Sequence, residues 1–416
     1  MKKIQILCLV TISRAGSKLL HSLLDSHKNI ICFPRTFNFY NFWNQNHHLI
    51  NQPNLLIDQF IKDNKRFFNR EIWGEYNPLD KMNDKRENFN FSTQKFKKLF
   101  LNQFNKKRKI GKRKNLFLSL HLAYANLLNK NLNEKNIILY HLHAIYGQEE
   151  ALKQIVNDFD ANVKFIMMTR NPIDSMRSIS NWMDKVSFKN IYDIFYYQSC
   201  CFADSQFLKN SFKKNYIKVI TFESLHKNSK DVMKALSKWM EIKWSNNLLK
   251  STFCGKIWTG NSHKILKGLN KNKIKKINPN NFFEKNDQII YQSIFPYRMK
   301  LYGYYNNLLP LTYSRIILFI RVLIPTNSEI SMLQSFFSIK YLYSIYLYHK
   351  NLHKFKHNHM LKNRYMFNNI YYICFISYCE NLFKYLFFYL KRIITYFRVI
   401  KNKIPDYKKD IVFTIY

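Results

Sequence analysis

Four short apolar runs, each leading into a stretch with helical spacing, place the strongest limit on what this chain can fold into. They are Ile4–Ile12, the run inside Asn136–His143, Val163–Thr169 and Tyr216–Phe222. Each is close to continuously apolar, as strands are when helices cover both faces of their sheet. Ser17–Ser26, Glu149–Phe159, Pro172–Met183, Tyr192–Phe212 and Ser229–Met240 read as helices between and after them. In the first, Leu19, Leu20, Leu23 and Leu24 share one face. The alternation predicts a three-layer α/β/α domain with a mostly parallel central sheet. Ligands of such sheets sit at the carboxyl ends of the strands.

The remainder is less regular. Residues 37–135 read as a mainly helical insert, with helices at Ser92–Phe104 and Leu116–Leu132 and a polar stretch at Asn77–Asn90. The basic run Lys106–Lys114 reads as a solvated loop, with an anion-binding patch as the sharper alternative. From Leu301 the strand signal fades, so residues 1–300 are expected to form the α/β domain and 301–416 a helical, aromatic and basic extension. In Ile370–Ile400 the polar residues fall in one stripe about 120° wide at 100° per residue. Two charges inside Tyr371–Leu390 argue against a lipid span. The plainer expectation is a helix docked on the domain or on a second subunit. The alternative is a peripheral helix lying in a membrane interface.

Composition narrows the class without naming a partner. A 47% hydrophobic and 17% aromatic content excludes a disordered chain. Seven Cys, an odd count with no C-x-x-C pair, exclude a disulfide scaffold and point to free thiols in the cytoplasm. The opening MKKIQILCLV imitates a secretory signal. However, Gln5 interrupts the run, and Ser13-Arg14 follows in place of a small-x-small cleavage site. The net charge is +41, carried by 52 Lys and 15 Arg, beside 48 Asn. Residues with A/T-rich codons dominate, so much of the charge is compositional, and no specific nucleic acid is implied. In such a chain each Arg, Gly or Pro carries more information than usual.

Rare residues stand at two strand ends. In TISRAGSKLL, Thr11–Leu20, a strand ends, a turn at Gly16 follows, and a helix begins. Exposed N–H groups at a helix start bind phosphate or sulfate. Arg14, Lys18 and the hydroxyls of Ser13 and Ser17 complete an anion cradle. The full pattern G-x-x-x-x-G-K-[ST] is absent, which disfavours a nucleoside triphosphatase. In MMTRNPIDSMRS, Met167–Ser178, a buried strand delivers Arg170 to its carboxyl end and Pro172 starts a helix. Ser178 follows two helical turns later, so the two can grip one phosphate. Asp174 and Ser178 are four apart and share a helix face.

Taken together, in this order and spacing, the two segments resemble the sulfotransferases that use 3′-phosphoadenosine 5′-phosphosulfate. The 5′-phosphosulfate loop of that family is similar to Ser13, Arg14, Ala15, Gly16, Ser17 and Lys18. Its 3′-phosphate motif is similar to Arg170-Asn171-Pro172 through Ser178. VITFESL, Val219–Leu225, resembles its strand ending in aromatic–Glu–x–Leu. GKIWTGNS, Gly255–Ser262, resembles its late cofactor-closing segment and contributes Lys256. The resemblance spans about Ile4–Pro34 and Ile137–Gly268. It implies a fold related to the phosphate-loop nucleoside triphosphate hydrolases and metal-independent sulfuryl transfer. The acceptor it implies is a hydroxyl of a sugar, glycan or lipid headgroup. Arg14 departs from the Lys of the best-known cytosolic members: it keeps the charge but cannot donate a proton.

The acceptor hydroxyl needs a general base. YHLH, Tyr140–His143, lies at a strand end in the interval where family members often carry one. His143 is favoured over His141 because it stands nearer the carboxyl end. His121 and the pair His47-His48 are weaker candidates, and no metal-ligand spacing is present. The competing classes are a non-catalytic nucleotide- or polyanion-binding protein on the same fold, and a small-molecule kinase.

Overall fold

The computed structural model describes residues 4–11, 15–69, 89–106, 111–131, 137–142, 149–175, 217–258, 269, 302, 304, 320, 323–324, 330, 334, 337–354, 374–380, 382–383, 386–387, 390, 393 and 412–414. The chain divides into two compact units. One comprises residues 1–169, 210–275 and 410–416; the other comprises 170–209 and 276–409.

The first unit is built on a six-stranded sheet. Its strands are β1 (Gln5–Thr11), β2 (Ile30–Ile31), β3 (Ile137–His141), β4 (Val163–Thr169), β5 (Ile217–Thr221) and a short C-terminal strand, Val412–Thr414. They lie in the order β2-β3-β1-β4-β5, with the C-terminal strand beside β5. The first five are parallel and the last is antiparallel. β1 is the central strand, pairing Gln5 with Ile137 on one side and Ile6 with Val163 on the other. The chain leaves β1 toward β2 and later returns to β4 on its opposite side. The topological switch point therefore falls between β1 and β4.

Alternation along the strands sends side chains into two layers. Leu7, Leu9, Ile137, Leu139, Ile166, Met168 and Ile220 form one core with α1 (Ser17–Asp25). Tyr140 meets the other layer, against Tyr40 of α2 (Phe39–Asn46) and Phe117 of a later insert helix. A mostly parallel sheet flanked by helices is the architecture the strand–helix alternation predicts.

The described residues between 37 and 131 are mainly helical. α3 (Pro53–Asp63), α4 (Thr93–Lys106) and α5 (Lys112–Leu127) surround an aromatic core. α4 buries Phe96, Phe100 and Phe104, one per helical turn. α5 begins a turn earlier than predicted and buries 12 of its 16 residues. A helix enclosed on nearly all sides shows no amphipathic stripe to mark its start. α6 (Glu149–Phe159), α7 (Phe222–Lys227) and α8 (Ser229–Trp239) follow their strands.

Besides the two-residue strand β2, two pairings escaped the sequence reading. Residues Thr252–Phe253 (β6) and Lys256–Ile257 (β7) form an antiparallel hairpin. The C-terminal VFT joins the sheet as β8, within a stretch read as helical. Both are too short to show a period. The polar residues 77–88, the basic residues 107–110 and the expected helix Tyr192–Phe212 lie outside the described residues, as does 176–183 of the helix predicted from Pro172.

Candidate active site

The loop after β1 is fixed from both sides of Gly16. Ala15 is buried, and Gly16 adopts φ 86°, ψ 17°, a left-handed conformation that a side chain resists. A Cβ on Gly16 would stand 2.5 Å from Cδ2 of Phe222, the first residue of α7. The position therefore requires glycine twice over, for its dihedral and for the ring pressed against it. The N–H groups of Leu19 and Leu20 donate to the Gly16 carbonyl, at 3.0 and 3.3 Å. Ahead of them, the first-turn N–H groups of α1 have no intrahelical acceptor. No side chain caps this helix, and no acidic residue lies in its first turn. Lys18 puts a cation in the first turn, at the positive end of the helix dipole, where it adds to the attraction for an anion. Ser13 and Arg14 lie outside the described residues.

A buried histidine pair lies along the same helix. His141, the last residue of β3, meets His21 of α1 with their Nδ1 atoms 3.0 Å apart. Both rings are almost wholly buried, and Phe253 stacks edge-on against His21. One Nδ1 must donate and the other accept, so the two rings cannot both be imidazolium. Burial lowers the His21 pKa to about 4, against the opposing pull of the Asp25 carboxylate and the Phe33 backbone. His143 lies outside the described residues.

Asp25 closes α1 and anchors the hairpin. Its buried carboxylate accepts from the Thr252 hydroxyl at 2.8 Å, the Gly255 N–H at 3.1 Å and the Cys32 thiol at 3.3 Å. Ser22 and Ser251 add a bond of 2.5 Å between the same elements. Cys254 and Gly255 both have positive φ, 54° and 74°. Two left-handed central residues define the type I′ turn that suits a two-residue hairpin. Lys256 follows that turn. Its anchor is at the opposite end of α1 from Gly16, about 12 Å along the axis at 1.5 Å per residue.

β4 ends at Thr169, paired with Thr221 of β5. The Thr169 hydroxyl is buried and finds no hydrogen-bond partner among the described residues. Arg170 follows in the chain. In the second unit, Asn171 Oδ1 accepts from the Ile173 N–H at 3.0 Å and starts the helical turn at Pro172. Ser178 lies outside the described residues.

Several weaker candidates take structural roles. Within the basic run, Arg113 makes a two-pronged pair with Asp158, both bonds 2.8 Å. His121 is buried among Phe33, Phe37 and Phe117, its Nδ1 2.8 Å from the Phe117 carbonyl, and burial lowers its pKa to about 4. His47 and His48 sit in a short turn after α2. Sequence reasoning missed His21 and Asp25, and it read Phe222 only as the aromatic of VITFESL, not as the ring against Gly16. Ser17, His21 and Asp25 recur every four residues on one face of a leucine-rich helix. That buried polar row was the available signal.

The chain is similar in structure to the sulfotransferase domain from the curacin biosynthetic pathway, with 16% identity and a TM-score of 0.34, covering 65% of this chain and 85% of that one. It is similar to the sulfotransferase domain of the Synechococcus PCC 7002 olefin synthase, with 11% identity and a TM-score of 0.33, covering 67% and 85%. A third is sulfotransferase STF9 from Mycobacterium avium, with 10% identity and a TM-score of 0.31, covering 60% and 66%. No curated protein matches. The family model described as "Sulfotransferase family" matches residues 7–246, more than half of the chain, and the protein belongs to that family.

Proposed function

We propose that the protein transfers a sulfuryl group from 3′-phosphoadenosine 5′-phosphosulfate to a hydroxyl of a sugar, glycan or lipid acceptor. The observation that carries this reading is the start of α1. There, uncapped first-turn amides, a left-handed Gly16 and the cation of Lys18 stand at the switch point beside β1. The Thr169 hydroxyl at the end of β4, without a hydrogen-bond partner among the described residues, adds a second polar group at that switch point.

In this mechanism the loop amides, Ser13, Ser17, Arg14 and Lys18 bind the 5′-phosphosulfate. Arg170 and Ser178 bind the 3′-phosphate. His143 takes the proton from the acceptor hydroxyl, whose oxygen then attacks sulfur in line. The bond from sulfur to the bridging oxygen breaks, and 3′-phosphoadenosine 5′-phosphate leaves. Negative charge grows on the bridging oxygen, where Arg14, Lys18 and the amides stabilise it without transferring a proton. His141 is the alternative base. Its Nδ1 already faces His21, so His141 could take a proton only through Nε2. Lys256, after the turn that Asp25 anchors, adds a further cation for the 3′-phosphate in this reading.

The test is calorimetric titration with 3′-phosphoadenosine 5′-phosphate. One site is expected, with Arg170→Ala weakening it by at least about tenfold, the scale of a lost charge-assisted contact. Absence of binding, or binding indifferent to Arg170, overturns the proposal. Transfer from ATP that depends on Mg²⁺ would move the assignment to a kinase.

A further inference from the structure

The second unit turns apolar side chains outward in a pattern a globular surface does not need. The described residues between 374 and 393 are helical. Of these, Phe375, Ile376, Phe383, Leu386, Phe387 and Leu390 are exposed, Phe383 by 71% and Phe375 by 64%. At 100° per residue all six fall within one arc of about 120°. Ser377, outside that arc, is buried. The helix thus faces the surrounding medium with its apolar side, the reverse of a helix docked on a core. The neighbouring α9 (Ile339–Lys354) repeats the arrangement: Ile339, Leu342, Tyr343 and Leu347 are exposed, whereas Tyr341 and Ile345 are wholly buried. The two helices meet through the Tyr341 and Tyr378 rings, 6.3 Å apart.

Charge decides what covers these faces. Residues 337–400 carry ten Lys and Arg against a single acid, Glu380. Lys340 and Lys350 are exposed on α9 itself. A second copy would bring the same positive charge against its own image. A bilayer surface with anionic headgroups offers apolar depth and opposite charge together. No described helix is long and apolar enough to cross a membrane, which fits a helix lying in the interface. We propose that the exposed apolar faces of α9 and of the helix within 374–393 dock the protein on anionic phospholipid surfaces.

Co-flotation of the full chain with vesicles tests this. The expected result is binding to vesicles containing about a third phosphatidylserine, with little to phosphatidylcholine alone. The variant F383E/L386E, changed at two exposed positions, should lose at least about tenfold in partition, because each side chain removes apolar burial and adds repulsion. Moderate salt should weaken the unmodified protein's binding, a readout that needs no variant. Three results overturn the proposal: equal binding to neutral vesicles, unchanged binding of the variant, or no vesicle binding. If the protein does not float but sediments as a dimer that F383E/L386E converts to monomer, the occupant is a second copy.

Discussion

Replacing Gly16 by alanine should be among the most damaging small substitutions in the first unit. Two terms add. An L-residue held near φ 86° costs about 1–2 kcal/mol relative to glycine. The new Cβ would stand 2.5 Å from Phe222 Cδ2 and 3.0 Å from Cε2, far inside the contact optimum of about 3.5–4.0 Å. The ring cannot yield freely, because it also packs on His226 with centroids 4.4 Å apart. Overpacking of this kind costs about 1–3 kcal/mol. The sum, about 2–5 kcal/mol, is a large share of the roughly 5–15 kcal/mol that holds a domain together. A double-mutant cycle in urea separates the terms. Phe222→Ala removes the obstacle but not the dihedral, so G16A/F222A should be less destabilised than the two single changes summed, by about 1–3 kcal/mol. Additivity within about 0.5 kcal/mol would refute the steric argument. A G16A cost below about 0.5 kcal/mol would refute the dihedral one as well.

Lys18→Gln should weaken binding of 3′-phosphoadenosine 5′-phosphate by at least about tenfold, the scale of a lost charge-assisted contact; calorimetric titration of the two proteins checks it, and equal affinities would remove Lys18 from the site. Asp25→Ala strands the Thr252 hydroxyl and the Gly255 N–H, and should cost about 2–4 kcal/mol in urea unfolding and open the hairpin to proteolysis. His21 and His121, both with pKa lowered from the ordinary 6.5 to about 4, take up protons less readily folded than unfolded. Stability is therefore full above pH 6.5 and declines as pH falls toward 4, by about 2 kcal/mol per histidine at pH 5, and His121→Phe should remove about half of that slope. For the base, His143→Ala should abolish turnover while sparing donor affinity, and His21→Ala should shift the pH–rate profile only if His141, not His143, takes the proton.

The strands β1, β3, β4 and β5 were legible because each is a nearly continuous apolar run, bounded by residues that stop it. β2 and β8 were not, since two or three residues carry no period and owe their pairing to neighbours distant in the chain. The glycine of the loop after β1 was legible because this chain has 8 glycines, and of the two that lie between a predicted strand and a predicted helix, Gly16 and Gly147, Gly16 stands directly before its helix. Its need for glycine was only half legible: the dihedral follows from the turn, but the Phe222 ring arrives from a segment some two hundred residues away. His141 was found as a strand-end histidine. Its partner was not, because a histidine inside a leucine-rich helix looks like any polar interruption until the fold brings β3 against it.

These partners share a physical consequence at α1. Eight of its nine residues are buried, and it is held at three points: Phe222 against Gly16 at the start, His141 against His21 in the middle, and the hairpin against Asp25 at the end. Sulfuryl transfer without a metal depends on donors already aimed at the developing charge, since reorganising them during the reaction would consume the stabilisation they provide. A nine-residue helix on its own is too short to hold its first-turn amides in place. Held at three points, it can. On this argument, loosening the far end with Asp25→Ala should slow turnover more than it weakens ground-state donor binding, because misaimed amides lose most where charge appears only in the transition state. Equal losses in kcat and donor affinity would instead show that the hairpin contributes to binding alone.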